Sequence, residues 1–220
     1  MKAQQIAIDG PAGAGKSTVA KAVAQKLGYL YIDTGAMYRA VAWLALLNNT
    51  AFDDEQALVK LINESNIVLE PSSDGCRVIC NNTDISKEIR LPEVGNAASP
   101  ISAIPGVREA LVAQQQKMAS DNAVVMDGRD IATVVLPQAE CKIFLTASLE
   151  VRAQRRALEL QQKGLNSDLN AVQRELAERD HRDSTRQHSP LRRHEDAILI
   201  DSSAMSIDQV VQKIIDAAGE

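Results

Sequence analysis

The sequence is poor in aromatic residues, in basic charge and in long apolar runs. Of its 220 residues only 3% are aromatic, and Asp and Glu outnumber Lys and Arg by 29 to 24, which leaves a net charge of −5. Proteins that bind single-stranded nucleic acids need a basic groove and stacking aromatic rings, so no nucleic acid polymer is expected as a partner. No apolar run approaches the roughly 20 residues of a bilayer-spanning helix, so no membrane partner is expected either.

Cysteine is also scarce, with three residues, Cys76, Cys80 and Cys141. An odd number of cysteines, and a start (residues 1–9) without the apolar run of a signal peptide, favour reduced thiols and a cytoplasmic protein. Cys76 and Cys80 have no second Cys or His pair elsewhere in the chain, so a structural zinc site is not expected. Hydrophobic residues still make up 45% of the chain, which is enough for a folded core.

Short, uniformly apolar runs alternate with longer amphipathic stretches along most of the chain. Strands that are apolar throughout are typical of a parallel sheet that is covered on both faces. The alternation therefore predicts a doubly wound α/β fold with a five-stranded parallel sheet. The predicted strands are 5–9, 29–33, 123–127, 142–146 and 197–201, and the predicted helices are 17–27, 37–47, 107–120, 149–163, 169–182 and 207–218.

Residues 63–100 interrupt this alternation with a polar, turn-rich stretch. Three short runs within it have the pattern of strands joined by turns, and they predict a small antiparallel sheet inserted in the α/β core. These runs are 67–70, 77–80 and 83–85. An elaborated surface hairpin explains the same pattern equally well. The predicted core then consists of residues 1–62 and 101–220.

The first predicted strand runs into a glycine-rich segment that matches the phosphate-binding pattern GxxxxGK[ST] between a strand and a helix. Glycines let phosphate oxygens lie against backbone N–H groups, and the following helix adds partial positive charge. Lys16 can reach the β- and γ-phosphates, and the Ser17 hydroxyl can bind Mg²⁺. The segment therefore predicts a nucleoside triphosphate site. Its residues are Gly10, Pro11, Ala12, Gly13, Ala14, Gly15, Lys16, Ser17 and Thr18.

A triphosphate site alone does not define the reaction. The NKxD tetrapeptide typical of regulatory GTPases does not occur in the sequence, and motor ATPases are usually larger. The end of the second predicted strand instead offers another anion site, because Thr34 and Gly35 can expose backbone N–H groups there and Arg39 can clamp a phosphate. On its own, Arg39 is more often a surface residue, and the neighbouring phosphate loop favours the anion site.

Two carboxylates and an arginine follow the third predicted strand. An acidic residue at the carboxyl edge of a parallel sheet often helps to hold Mg²⁺ or its waters, which is one role predicted for Asp127. Arg129 and Asp130 are expected to face the space between the two phosphate sites. For Asp130, a cap of the next helical segment is an equally good interpretation.

Two groups of arginines lie in the last third of the chain. The first falls within one helical turn, and the second has the spacing of one helix face. Their members are Arg152, Arg155 and Arg156 in the first, and Arg179, Arg182, Asp183 and Arg186 in the second. A run of charged residues is usually a helix face that is exposed to solvent. Here, however, the spacing places no matching carboxylates in register with the arginines, which favours a bound anion. A γ-phosphoryl group in transfer is such an anion, because arginines stabilise the charge that develops on it.

Several motifs resemble those of bacterial cytidylate kinases of the long form, a family of nucleoside monophosphate kinases. The P-loop motif is common to many families, whereas the DGRD and ERDxRDxxR motifs are much more specific. The matches cover nearly the whole chain in the order of the family. They are IDGPAGAGKST (8–18), DTGAMYRA (33–40), EIRLPEVGNAAS (88–99), VREAL (107–111), DGRDIATVV (127–135), KIFLTAS (142–148) and ERDHRDSTR (178–186).

The resemblance implies a P-loop nucleoside monophosphate kinase fold and ATP-dependent phosphorylation of CMP or dCMP, with Mg²⁺ as cofactor and a monomer as the expected state. It also implies that residues 63–100 are part of a monophosphate-binding lobe and that a short lid lies near residues 155–168. The catalytic residues expected on this basis are Lys16, Arg129, Arg155, Arg179 and Arg182. The CMP-binding residues are Thr34, Arg39, Ser99, Arg108, Asp127, Arg129, Asp130, Arg179, Asp183 and Arg186.

Base selection within such a site requires that cytosine be told from uracil. Cytosine offers an amino donor at N4 and acceptors at N3 and O2, whereas uracil offers an O4 acceptor and an N3 donor. Asp130 is the acceptor that we expect to face N4, with Arg108 and Ser99 as donors. Two alternatives stay open at this stage, namely a kinase of UMP, AMP or a small metabolite on the same scaffold, and a P-loop binding protein without turnover.

Overall fold

The computed structural model describes residues 5–72, 75–162, 164, 166 and 168–219, and it confirms the predicted α/β architecture. The strands in chain order are β1 (Gln5–Asp9), β2 (Leu30–Asp33), β3 (Ile67–Ser72), β4 (Gly75–Cys80), β5 (Thr83–Asp84), β6 (Val124–Gly128), β7 (Cys141–Thr146) and β8 (Ile198–Asp201). The α-helices are α1 (Lys16–Leu27), α2 (Thr34–Leu47), α3 (Glu55–Glu64), α4 (Pro92–Ile101), α5 (Pro105–Ser120), α6 (Leu149–Gln162), α7 (Leu169–Thr185) and α8 (Ile207–Ala218).

The main sheet is parallel and has the strand order β2-β6-β1-β7-β8. β1 lies at its centre, where Asp9 is in register with Gly128 on one side and Phe144 on the other. Asp33 is likewise in register with Asp127. Because parallel strands end at one edge of the sheet, this register brings the phosphate-loop segment and both carboxylates to the same edge.

The central strand β1 is covered on both faces, as its apolar residues predict, whereas three of the four residues of the edge strand β8 are exposed. Ile6 and Ile8 pack on one face with the apolar sides of α1 and α8. Ala7, between them, lies in a second cluster with Ile32 and with residues at the end of α5. Alternate residues of one strand thus contribute to two cores, which explains why the three residues between Gln5 and Asp9 are all apolar.

The predicted antiparallel sheet is present as β3-β4-β5. Ile67, Val78, Cys80 and Ile85 are buried in a cluster that includes the apolar faces of α2, α4 and α5. The segment is therefore packed into the body of the protein and is not an isolated surface hairpin. Residues 73 and 74, in the predicted turn between the first two of these strands, lie outside the described residues.

Several elements were not expected from the sequence. The prediction of strands and turns for residues 63–100 is wrong in its last part, because α4 occupies Pro92–Ile101. α3 is a second helix that was missed, and its first turn is capped by the Asp54 carboxylate, which accepts from the Ala57 N–H at 3.0 Å. A 3-10 turn at Glu88–Arg90 and a π-helical turn at Ile131–Val135, called here the π-turn, complete the fold.

The helices at the arginine-rich end agree with the prediction apart from their ends. α6 ends at Gln162, and α7 continues to Thr185, three residues beyond its predicted end. Residues 163, 165 and 167, within the predicted lid, lie outside the described residues. In the described part of the chain, none of the helices combines the length and apolarity that a membrane span requires.

Candidate active site

The phosphate loop lies between β1 and α1 and is shaped by its glycines. Gly10 has a φ of +151°, and a Cβ at this position would lie 1.9 Å from the carbonyl oxygen of Leu145 on β7. Gly15, at φ +89°, turns the chain into α1. The Lys16 side chain crosses the loop, and its Nζ donates to the Pro11 carbonyl at 2.8 Å. The ammonium group is therefore held inside the loop, beside the backbone N–H groups that a phosphate would contact.

An ion pair between Arg152 and Asp180, which the sequence analysis did not identify, supports the backbone of this loop. Arg152 on α6 is buried and donates to the Ala12 carbonyl at 2.9 Å, while it pairs with Asp180 on α7 at 2.5 Å. The Asp180 carboxylate in turn accepts from the Ala12 N–H at 3.2 Å. Arg152, expected to be free for an anion, is thus a support of the loop backbone.

Ser17 and Asp127 come together at the start of α1. The Ser17 hydroxyl donates to the Asp127 carboxylate at 3.0 Å, and the Tyr31 hydroxyl donates to its other oxygen at 2.8 Å. Burial and the nearby Asp33 raise the pKa of the Asp127 carboxyl above its usual range, and burial raises the pKa of Tyr31. Hydroxyl and carboxylate oxygens are the ligands that Mg²⁺ prefers, so these residues fit that cation.

The second predicted anion site is organised by Asp33, which ends β2. One oxygen of its carboxylate accepts from the Ala36 N–H at 2.8 Å and caps α2, and the other pairs with the Arg39 guanidinium at 3.1 Å. Thr34 is buried, and its hydroxyl donates to the Asp127 carbonyl at 2.7 Å. Asp33 thus holds Arg39 at the sheet edge, a role that its place before a helix start could have indicated.

Asp130 begins the π-turn but does not cap it, since its side chain makes no capping hydrogen bond. The interpretation of Asp130 as a helix cap is therefore wrong. Its carboxylate, 4% exposed, is paired with Arg108 on α5 and lies 3.7 Å from the Arg186 guanidinium. The Arg108 guanidinium also lies 5.5 Å from the centre of the Tyr38 ring, a contact that the sequence analysis missed.

Arg129, Asp183 and Arg179 form the neighbouring group. Arg129 Nε donates to the Asp183 carboxylate at 2.8 Å. Burial, and after it the nearby positive charge of Arg129, lower the pKa of Arg179 to about 10. Arg152 and Arg186, of the two arginine groups, do have carboxylate partners in Asp180 and Asp130, contrary to the expectation from spacing. Arg179 is the most crowded by like charge, and an anion would relieve that repulsion.

Several polar atoms in this region are buried without a hydrogen-bond partner among the described residues. Buried polar groups are normally paired, so a cluster of unpaired ones indicates a site for a polar ligand. They are Arg39 Nε, Ser99 Oγ, Arg108 Nε, Arg179 Nε and Arg186 NH2. All five belong to residues predicted for the CMP site.

Lys16 is the last member of the site, and its electrostatics connect the two anion sites. Burial lowers the pKa of its ammonium group, and the positive charges of Arg129 and Arg179 lower it further, against the opposing effect of Asp127 and Asp9. Lys16, Arg129 and Arg179 are therefore close enough to repel one another. Such a concentration of buried cations is suited to a highly charged anion.

Two predicted catalytic arginines are not joined to this group by the contacts of the structure. Arg155 donates to the Ser202 carbonyl at 2.7 Å and lies 3.4 Å from the Ala14 carbonyl, on the β8 side of the loop. Arg182 is exposed on α7, while Arg179 and Asp183 on the same helix turn inward. Helical spacing placed Arg182 on the same face as Arg179 and Asp183, but its side chain is exposed to solvent.

Comparison with known proteins matches nearly the whole chain to one family. The family described as "Cytidylate kinase" matches residues 6–220. A cytidylate kinase from Geobacillus sp. (strain WCH70) is 52% identical over 216 residues, which cover 98% of this chain and 96% of the relative. A cytidylate kinase from Listeria innocua is 53% identical over 213 residues, which cover 97% of this chain and 95% of the relative.

Solved structures of low sequence identity support the fold alone. An uncharacterised protein from Eubacterium ventriosum superposes with a TM-score of 0.56 at 13% identity, and 99% of each chain is covered. A shikimate kinase from Bacteroides thetaiotaomicron gives a TM-score of 0.51 at 14% identity, again over 99% of each chain.

Proposed function

The chain belongs to the cytidylate kinase family and is an ATP-dependent kinase of CMP and dCMP, and we propose that Asp130, Arg108 and Ser99 select the cytosine base. The observation that supports this assignment is the Asp130 carboxylate, which is buried beside Arg108 but unused as a cap of its own turn. The Arg108 Nε and Ser99 Oγ atoms are buried and have no hydrogen-bond partner in the described part of the chain. An acceptor with two donors is the complement of the N4, N3 and O2 edge of cytosine.

The phosphoryl groups would be bound between the phosphate loop and the arginines. The loop N–H groups and Lys16 would hold the β- and γ-phosphates of ATP, while Arg39, Arg129 and Arg179 would hold the acceptor phosphate and stabilise the transferring group. Ser17 and Asp127 would hold Mg²⁺, which supplies positive charge to the phosphate oxygens. No strong general base is required, because the attacking atom is already a phosphate oxygen.

We also propose a division of the chain into lobes, an oligomeric state and a cellular compartment. Ser99 on α4 supports residues 63–100 as part of the monophosphate-binding lobe, and a lid near 155–168 stays a prediction. A monomer stays a prediction. Three free thiols and the use of ATP support the cytoplasm.

The test of base selection is a nucleotide panel. ADP release is measured in a coupled assay with CMP, dCMP, UMP and AMP as acceptors at saturating MgATP. Leaving a buried donor or acceptor unpaired costs about 1–3 kcal/mol, so kcat/KM for UMP should be lower than for CMP by at least about tenfold. Equal efficiency with UMP would contradict the assignment, and ATP hydrolysis without any acceptor product would indicate a site that does not transfer.

Binding of a triphosphate should be coupled to proton uptake at Lys16. Its pKa is lowered in the free protein, so at alkaline pH part of the Lys16 population is neutral. The triphosphate favours the charged form and raises that pKa, so protons are taken up above the lowered pKa and hardly at all below it.

The measurement is titration calorimetry with a non-hydrolysable Mg–ATP analogue in two buffers of different ionisation enthalpy. We expect little uptake at about pH 6 and more at about pH 8.5, where carboxylates are ionised in both states. The uptake at alkaline pH should be lost in Lys16→Met and kept in Lys26→Met, which alters an exposed lysine of the same helix. Uptake that is unchanged in Lys16→Met would show that another group takes the proton.

A further inference from the structure

The π-turn is capped by a side chain at the end of β1, a strand that is distant from it in sequence. The backbone N–H groups of Ile131 and Ala132 donate to the two oxygens of the Asp9 carboxylate, each at 2.8 Å. Asp9 ends β1 and is 2% exposed. It is thus 122 residues away in sequence from the first amide that it accepts. An aspartate at the start of a helical turn normally accepts from N–H groups of its own turn, but Asp130 does not.

We propose that Asp9 is a positioning residue for acceptor selection, because it caps the π-turn and so leaves the Asp130 side chain free to face Arg108. This inference rests on the proposed function, in which Asp130 reads the base. The amides of Ile131 and Ala132 would otherwise need another acceptor, since buried N–H groups are rarely left unpaired. The nearest carboxylate in sequence is that of Asp130. If it turned to cap them, the buried Arg108 would lose its partner.

The location of Asp9 explains why it can act as a fixed reference. β1 is paired on both sides, with Asp9 in register with Gly128 and Phe144. A residue held by two neighbouring strands cannot shift without breaking both ladders, whereas a side chain within the turn would move with it. The two hydrogen bonds therefore fix the turn that begins with Asp130 relative to the phosphate loop, which starts at the next residue, Gly10, whereas Arg129 is held separately by Asp183.

Asp180 is a suitable control residue for Asp9, because it makes a similar contact in another part of the site. Its carboxylate also accepts a backbone N–H, but the amide belongs to Ala12 in the phosphate loop. One carboxylate thus supports the acceptor side of the site and the other supports the ATP side. Substitution of each by asparagine is isosteric, and the amide can accept with only one oxygen while its NH2 group is a donor.

The first experiment compares Asp9→Asn and Asp180→Asn by steady-state kinetics. Leaving one of the two buried amides without an acceptor costs about 1–3 kcal/mol, so Asp9→Asn should raise KM for CMP by about tenfold. It should change KM for ATP by less than about threefold, and Asp180→Asn should show the opposite pattern. An equal rise of both constants in Asp9→Asn would mean general damage to the fold and would overturn the proposal.

The second experiment tests whether Asp9 acts through Asp130. In an Asp130→Ala background, Asp9→Asn should raise KM for CMP by less than about twofold, because no carboxylate remains to be positioned. A full tenfold effect in that background would overturn the proposal. The exchange rates of the Ile131 and Ala132 amides provide a readout without substrate, and both should rise in Asp9→Asn.

Stability and the proposed function are tested separately. If Asp9→Asn does not fold, Asp9→Ser is used, since its hydroxyl can accept one of the two N–H groups. Unchanged amide exchange in the folded variant would overturn the cap itself. An unchanged CMP-to-UMP preference in Asp130→Asn would instead contradict base reading by Asp130, whatever the result for Asp9.

Discussion

Replacement of Lys16 by alanine should lower kcat by about 10²–10³-fold, because groups that stabilise the charge developing in transfer typically contribute that much. The Lys16 Nζ lies inside the phosphate loop, bound to the Pro11 carbonyl, where the γ-phosphate would compete for it. Its interaction strengthens as charge moves between the phosphates, so the loss should fall more on kcat than on KM. Turnover is measured with CMP at saturating MgATP.

Lys16→Ala should have little effect on the free energy of unfolding. The lowered pKa of Lys16 means that burial of the charged ammonium opposes folding, and alanine removes that penalty. Thermal unfolding of the free variant should therefore show a loss of less than about 1 kcal/mol, comparable to one neutral hydrogen bond. Lys26→Ala, in the exposed last turn of α1, serves as the control and should keep its turnover. Near-normal turnover in a folded Lys16→Ala would contradict the assignment of the phosphate loop.

Replacement of Asp130 by asparagine should narrow the preference for CMP over UMP by at least about tenfold, or roughly 1.4 kcal/mol. The asparagine amide can rotate to donate to O4 of uracil, whereas the carboxylate can only accept. Efficiency with CMP should fall at the same time, because the pairing of Asp130 with the buried Arg108 is weakened. The variant is assayed with both nucleotides, and its folding is checked by thermal unfolding.

Asp180→Asn is also the control for the ratio of the efficiency with CMP to the efficiency with UMP. It makes the same chemical change in another buried arginine–aspartate pair, with Arg152, that supports the phosphate loop. Its efficiency should fall by the same factor with CMP and with UMP, so that the ratio stays the same. A ratio in Asp130→Asn that matches the control would show that the base is read by other residues.

The parts of the fold that follow from local pattern were predictable from the sequence. Residues 6–8 are apolar because the central strand is covered on both faces, and short apolar runs of this kind identified all five strands of the main sheet. α4 was missed because Gly95, Asn96 and Pro100 are poor helix formers, and its packing against α2 outweighs that propensity.

The site could be predicted as a set of residues but not as a set of contacts. Lys16, Arg39 and Asp130 were found by motif and by resemblance, but their contacts were not predicted. Pro11 and Asp33 are local partners of Lys16 and Arg39, whereas the pairing of Asp130 with Arg108 depends on the tertiary structure. Arg182 shows the converse error, since helical spacing placed it with Arg179 but its side chain is exposed. The cap of the π-turn by Asp9 joins residues 122 positions apart, which no local signal reveals.

The central position of β1 has a consequence for synthesis on the ribosome. Within the described sheet, β1 pairs only with β6 and β7, whose residues begin at Val124 and Cys141. A nascent chain that has emerged only as far as α5 therefore holds the phosphate-loop strand with no neighbour to pair with. Such distant pairing is slow to form, because the intervening chain must be closed first. The glycine-rich loop, although it is made first, becomes a binding site only after more than half of the chain has left the exit tunnel.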